Sequence, residues 1–130
     1  MPSTASVTIQ MEKILEEYSQ KVQDVTERSM DETAKEAVSQ LKATSPVGHT
    51  GKHPGRYARG WRFRKEDKMG GVIYNATDYQ LTHLLENGHE VKPPPTRPGK
   101  KSRVAGIKHI KPVEEWCKTT FPIRISRGLK

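Results

Sequence analysis

Residues 11–44 read MEKILEEYSQKVQDVTERSMDETAKEAVSQLKAT, the longest periodic stretch of the chain. Apolar side chains recur there at steps of three, four and five from Met11 to Leu41, and neither Gly nor Pro interrupts them. This spacing is typical of an amphipathic helix, and Ser45-Pro46 ends it because a residue before Pro avoids the helical conformation. We therefore predict a helix over residues 11–44, with an apolar stripe on the order of 45 Å long.

A stripe of that length needs a surface to cover it. Only 32% of the 130 residues are apolar, which is below the share of a typical globular domain even when Gly is counted. Two interpretations stay open at this point. Part of the stripe meets another subunit, or the whole stripe packs on the chain's own sheet.

Length and composition limit the class of protein. A chain of 130 residues suits a single domain, residues 1–130, and excludes a multidomain enzyme. Cys117 is the only cysteine, so no disulfide forms within the chain. No apolar run approaches the length of a membrane span, and residues 1–10 do not resemble a secretory signal. We expect a soluble protein made in a reducing cytoplasm, with no membrane contact.

The net charge of +8 is unevenly distributed. Residues 1–44 hold five basic and eight acidic side chains, a net charge of −3, whereas residues 45–130 hold eighteen and seven, a net charge of +11. The long helix and the rest of the chain should therefore prefer different partners.

Shorter patterns predict an α+β fold in which the long N-terminal helix packs on a small, mostly antiparallel sheet. Before the helix, the alternation over Ser6–Gln10 predicts a short strand or arm in residues 1–10. After it we expect a loop over 45–60, a sheet with short helices over 61–125, and a basic tail over 126–130. Within the sheet region, residues 59–66 and 72–74 read as a hairpin with its turn at 67–71.

Two short helices and two further segments complete the predicted chain. One helix begins at the cap Asp78 and ends at Gly88, which supplies a left-handed residue. The other has Pro112 at its first position and stops at Pro122, and a last strand follows over residues 123–125. Residues 93–101, PPPTRPGKK, favour a mobile basic loop.

No motif in the sequence supports catalysis. The histidine pairs His49/His53 and His83/His89 lack the spacing and companions of a metal site, and a lone Cys117 beside a Trp is typical of a buried residue. No phosphate loop, dinucleotide fingerprint or nucleophile elbow is present. We predict that the protein is no enzyme, with no catalytic residues, metal or cofactor.

Basic side chains are the stronger signal, and they suit either a polyanion or an acidic protein surface. Those in the loops that we predict to make such contacts are Arg56, Arg59, Arg97, Lys100, Lys101 and Arg103. A small nucleic-acid-binding protein is therefore an alternative, with Tyr57 and Trp61 available to stack on bases. For Trp61 a core position is favoured over stacking, because aromatic residues that alternate along a strand usually face the interior.

Several short motifs recur in a fixed order along residues 6–120. The long helix leads to Ser45-Pro46-Val47 and Thr50-Gly51, then to Trp61 and to Tyr74-Asn75 on the two hairpin strands. Tyr79 precedes Leu84-Leu85-Glu86-Asn87-Gly88-His89, and His109-Ile110-Lys111-Pro112 precedes the last helix. Together these motifs resemble the tail-completion or neck proteins of long-tailed bacteriophages, also described as minor tail or head-tail joining proteins.

The resemblance implies a virion structural protein at the head-tail junction, which joins the tail to the head connector through ring assembly. It implies as partners further copies of the chain in a hexameric ring, the head connector and the tail tube proteins, with DNA as a further contact of the basic loops. The residues then expected to contact a subunit or partner are Trp61, Glu86, Gly88, His89, His109 and Pro112. For Glu86, near a helix end where an acid is unfavourable, we expect an anchoring partner such as a backbone amide or an Arg.

Overall fold

A computed structural model describes residues 4–47, 53–68, 70–91, 99 and 102–130. These described residues form the helices α1 (Thr4–Thr44), α2 (Arg56–Arg59), α3 (Thr82–Asn87) and α4 (Ile110–Gly128), with a 3-10 turn at Tyr79–Leu81. They also form the strands β1 (Trp61–Asp67), β2 (Gly70–Asn75), β3 (Gly88–Val91) and β4 (Ser102–Ala105). The predicted α+β class is confirmed.

Helix α1 is a single helix of 41 residues. Its C-terminal end at Thr44 is as predicted, and the backbone N–H of Ser45 donates to the carbonyl of Leu41 at 2.9 Å. The strand predicted over Ser6–Gln10 is wrong, because the helix already begins at Thr4. Extending an existing helix by a turn adds one hydrogen bond per residue, whereas a lone strand has no partner for its backbone groups.

The predicted hairpin is confirmed, with β1 and β2 antiparallel and Trp61 opposite Asn75. The second hairpin, β3 with β4, was not predicted, and it pairs Gly88 with Ala105 and Val91 with Ser102. The strands therefore form two separate two-stranded sheets where a single small sheet was expected.

Helix α4 differs from the prediction at both of its prolines. It begins at Ile110, so Pro112 is its third residue, and it continues through Pro122 to Gly128. The strand over 123–125 and the stop at Pro122 are therefore wrong, and most of the predicted tail is helical. Contacts with α1 explain this result, because Arg124 donates to Thr33 Oγ1 at 3.2 Å and to Glu36 Oε2 at 2.7 Å on the far side of the proline.

The core lies where the C-terminal half of α1 meets α4 and the first hairpin. Its buried members are Ala37, Leu41, Tyr57, Trp61 and Val113. Helix α4 runs antiparallel to α1, since Val113 lies in the core with Leu41 whereas Gly128 lies against Val25. The loop predicted over 45–60 also contains α2, which carries Tyr57 into this core. Within the described part of the chain, no helix is long and apolar enough to cross a membrane.

Candidate assembly surfaces

Glu86, at the end of α3, is joined to the start of α4. Its Oε1 accepts hydrogen bonds from the backbone N–H groups of His109 at 2.7 Å and Ile110 at 2.8 Å, and its Oε2 accepts one from Lys111 at 3.1 Å. These N–H groups lack partners inside the helix, so a carboxylate there satisfies them and complements the helix dipole. Of the anchoring partners expected for Glu86, a backbone amide or an Arg, the structure shows backbone amides.

The charge of Glu86 is maintained by these donors. Burial alone raises the pKa of the Glu86 carboxyl, but the backbone donors of Ile110, His109 and Lys111 together outweigh burial and lower the pKa below its usual value. Glu86 is only 8% exposed. A buried carboxylate with three backbone donors is a structural clamp between α3 and α4.

The His109 side chain continues this clamp towards α2. Its Nδ1 lies 2.7 Å from the carbonyl oxygen of Ile107 and 3.0 Å from Glu86 Oε1, so this nitrogen carries the hydrogen. Its Nε2 then accepts the hydroxyl hydrogen of Tyr57 at 2.7 Å. Burial, and after it the charge of Glu86, raises the pKa of Tyr57 to about 12, which keeps the hydroxyl protonated as the donor.

Asn75 connects the same cluster to the first hairpin. Its side-chain nitrogen donates to the backbone carbonyl of Tyr57 at 2.8 Å, and its side-chain oxygen accepts from the backbone N–H groups of Thr77 at 3.2 Å and Asp78 at 2.8 Å. Trp61 makes an edge contact with Tyr57 and donates its indole N–H to Ser45 Oγ at 2.8 Å. Buried hydrogen bonds thus join α2, α3, α4, the first hairpin and Ser45, the residue that follows α1.

Trp61 and Tyr57 are buried, which confirms the core position favoured for Trp61 and leaves neither ring able to stack on a base. Trp61, Glu86 and His109 are all held inside the subunit. Gly88 has the predicted positive φ, 81°, but its ψ of 175° directs the chain into β3 instead of forming a left-handed cap. Contacts of these residues with a partner stay a prediction.

His89 and Pro112 lie nearer the surface than the clamp. His89 is half-buried in β3, and within the described part of the chain its Nδ1 has no hydrogen-bond partner. Pro112 is exposed in the first turn of α4. Their role in partner contacts also stays a prediction.

The predicted basic contacts fall into three groups. Arg56 forms a two-pronged ion pair with Asp78, the residue predicted to cap the following helix, and Asp78 makes no such cap. Arg59 and Arg103 are exposed, and each donates to a backbone carbonyl, of Pro54 at 3.0 Å and of Asn87 at 2.8 Å. Arg97, Lys100 and Lys101, with most of the predicted mobile loop, lie outside the described residues, as does His49.

The N-terminal part of α1 is the most exposed element described. Every side chain from Lys13 to Lys21 is exposed, including Ile14 at 64%, Leu15 at 64% and Tyr18 at 60%. These three residues continue the apolar stripe that is buried from Val25 onwards, where α4 ends beside it at Gly128. We call residues 4–21 the arm. The stripe is thus covered from Val25 onwards, whereas Ile14, Leu15 and Tyr18 in the arm are exposed.

Among the described side chains, no group of three His, Cys, Asp or Glu residues converges on a point. Burial, the largest influence on Cys117, raises the pKa of its thiol, and a raised pKa disfavours the nucleophilic thiolate. The geometry supports a rigid body with an exposed arm.

More than half of the chain matches a known protein family. Residues 9–88 match the family described as "Bacteriophage HK97-gp10, putative tail-component". The match spans α1, the first hairpin and α3 up to Gly88, so it includes Trp61 and Glu86 but ends before α4. Searches of curated proteins and of solved structures find no match.

Proposed function

Since this chain belongs to the HK97-gp10-like family of bacteriophage tail components, we propose that it is the tail-completion or neck protein of its virion. In this role it assembles as a hexameric ring of copies on the end of the tail tube and joins the tail to the head connector. Its work is assembly, with no catalytic step, and its place is the head-tail junction of the virion.

The observation that carries this proposal is the exposed arm. Ile14, Leu15 and Tyr18 lie on one face of a helix that extends about 27 Å from Thr4 to Lys21, at ~1.5 Å per residue. Isolated apolar residues on a surface are ordinary, but a continuous apolar face beside a covered one marks an interaction site. A ring subunit has such a face because its neighbour completes it.

The buried clamp gives the second line of support. Glu86, His109 and Tyr57 fix α3, α4 and α2 as one body, so that a partner docking on any of them meets a preformed surface. Preformed surfaces lose less conformational entropy on binding than flexible ones. The clamp therefore suits a protein that must fit between two other structures.

The nucleic-acid-binding alternative has less support. Tyr57 and Trp61, the two aromatic residues that the sequence suggested for stacking, are buried, and Arg56 is paired with Asp78. The basic excess of residues 45–130 is then available for acidic protein surfaces, and contact with DNA is a secondary expectation. Binding of short duplex DNA by the purified chain, with a strong salt dependence, would favour the alternative.

The experiment is a deletion of the gene in the phage that encodes the protein, with electron microscopy of the products. We expect filled heads and separate tails, and no joined particles. Expression of the intact chain from a plasmid should restore them. Normal, infectious particles without the protein would contradict the proposal.

A further inference from the structure

An apolar groove runs along the body beside α1. It has a volume of about 270 Å³ and lies between α1, the first hairpin and α4. Its half-buried apolar lining is Met30, Phe63, Ile73, Cys117 and Phe121. The groove opens on the surface next to the core, and nothing among the described residues fills it.

The chain's own arm does not reach this groove. The groove is lined by Met30 and Ala34 of the same helix that carries Tyr18. Twelve residues of helix separate Tyr18 from Met30, roughly 18 Å, and α1 is unbroken between them. A helix does not fold back on itself without a break, so an arm in the groove must come from another molecule.

Charge favours the arm of a second copy as the occupant. The arm, residues 4–21, carries three acidic and two basic side chains, so two arms side by side would bring like net charges together. The groove is bordered by the first hairpin and α4, where Lys65 and Arg124 already pair with acidic residues of α1. When Lys65 and Arg124 are left out of the count, residues 61–75 and α4 each still carry one more basic than acidic side chain. Arm and groove therefore attract where arm and arm repel.

We propose that the arm of one copy, through Ile14, Leu15 and Tyr18, binds the apolar groove of the next copy. This contact deepens the proposed ring and rests on it. The two surfaces differ, so the contact is head-to-tail, and repetition of a head-to-tail contact generates a ring when the rotation closes. Each copy then has its exposed stripe covered and its groove filled.

The single native cysteine makes the contact measurable. Cys117 lies in the groove, and Leu15→Cys places a second thiol on the apolar face of the arm. Because every copy then carries one thiol on each surface, oxidation of the concentrated full-length protein at mildly alkaline pH should give a ladder of disulfide-linked oligomers. Gln20→Cys is the matched control, since Gln20 is also exposed but lies on the far side of the helix from the apolar face. It should give at least tenfold less cross-linked material.

Adding Cys117→Ser to Leu15→Cys should abolish the ladder. Dimers that persist in this double variant would show arm-to-arm pairing and overturn the proposal. A ladder of equal yield from Gln20→Cys would also overturn it, as would the absence of cross-links both in the concentrated protein and in assembled particles. Circular dichroism of each variant checks that it is folded.

A second variant measures the contact without cross-linking. Leu15→Glu puts a charge on the apolar face and should weaken self-association by roughly tenfold or more in sedimentation, since a buried Leu contributes that much. Unchanged association would overturn the proposal. The outcome is separate from the proposed function: joined particles that need the protein but lack arm-to-groove cross-links would leave the neck role standing and remove only this contact.

Discussion

The carboxylate of Glu86 and the backbone N–H of His109 are joined by a hydrogen bond of 2.7 Å across 23 residues of sequence. This bond lies at the middle of a buried series that begins at α4 and ends at Tyr57 in α2. Because the series joins α3, α4 and α2, its loss should loosen the body without changing any surface residue.

Glu86→Gln should lower the free energy of unfolding by about 1–2 kcal/mol at neutral pH, because the charge at the start of α4 and one acceptor are lost. The pKa of the Glu86 carboxyl is lower in the folded chain than in the unfolded chain. The carboxylate therefore stabilises the fold fully above its unfolded pKa, and this stabilisation is lost as pH falls through its folded pKa. Urea unfolding as a function of pH should therefore show a smaller loss of stability below pH ~4 in the variant. Glu17→Gln, in the exposed arm, is the control, and equal pH dependence in Glu86→Gln and the native chain would contradict the clamp.

Tyr57→Phe should lower the free energy of unfolding by about 1–3 kcal/mol, because His109 Nε2 is left buried without its hydrogen-bond donor. The raised pKa of Tyr57, about 12, means that this residue stabilises the fold below the unfolded pKa of about 10 and loses that effect as pH rises towards 12. Alkaline unfolding should be less steep in the variant. Tyr79→Phe, at a residue 70% exposed, should behave like the native chain.

Ser45→Ala should remove the acceptor of the Trp61 indole N–H. Trp61 is 4% exposed, so the unpaired N–H has no access to water and the change should cost about 1–3 kcal/mol in thermal or urea unfolding. Ser39→Ala, at an exposed position of the neighbouring α1, is the control. Equal stability of the two variants would show that the indole bond contributes nothing.

Gly88→Ala tests the junction between α3 and β3. A Cβ at this residue would lie 2.3 Å from the carbonyl oxygen of Val104, and φ is +81°. We expect the free energy of unfolding to fall by about 2–3 kcal/mol and the amides of β3 and β4 to be less protected in hydrogen exchange. Gly99→Ala is the matched control because its Cβ meets nothing within 4 Å. Equal losses of stability in the two variants would contradict the close approach of Gly88 to Val104.

The parts of this fold that sequence predicts are those set by local spacing. Helix α1 from Met11 to Thr44 and the hairpin of β1 with β2 follow from periodicity and a short turn. The anchoring of Glu86 followed from its unfavourable place at a helix end. The helix and the hairpin depend on residues close in sequence, whereas the anchor of Glu86 was expected without its partners, 23 to 25 residues away, being identified.

The parts that were missed depend on distant residues. Strands β3 and β4 pair across ten residues that contain a proline run, so no short turn marks the hairpin. Helix α4 passes Pro122 because Arg124 binds Thr33 and Glu36 about ninety residues away. The bond between Tyr57 and His109 joins residues 52 apart, and no local pattern marks either as the other's partner. Tertiary contacts decided each of these cases.

The most direct test of the central proposal is reassembly outside the cell. Heads and tails from a phage lacking the gene are purified separately and mixed with the full chain, and joined particles are counted by electron microscopy and by infectivity. The native chain should restore joining, and Leu15→Glu should restore it far less well. Failure of the folded native chain to increase joining, or joining without it, would contradict a role at the head-tail junction.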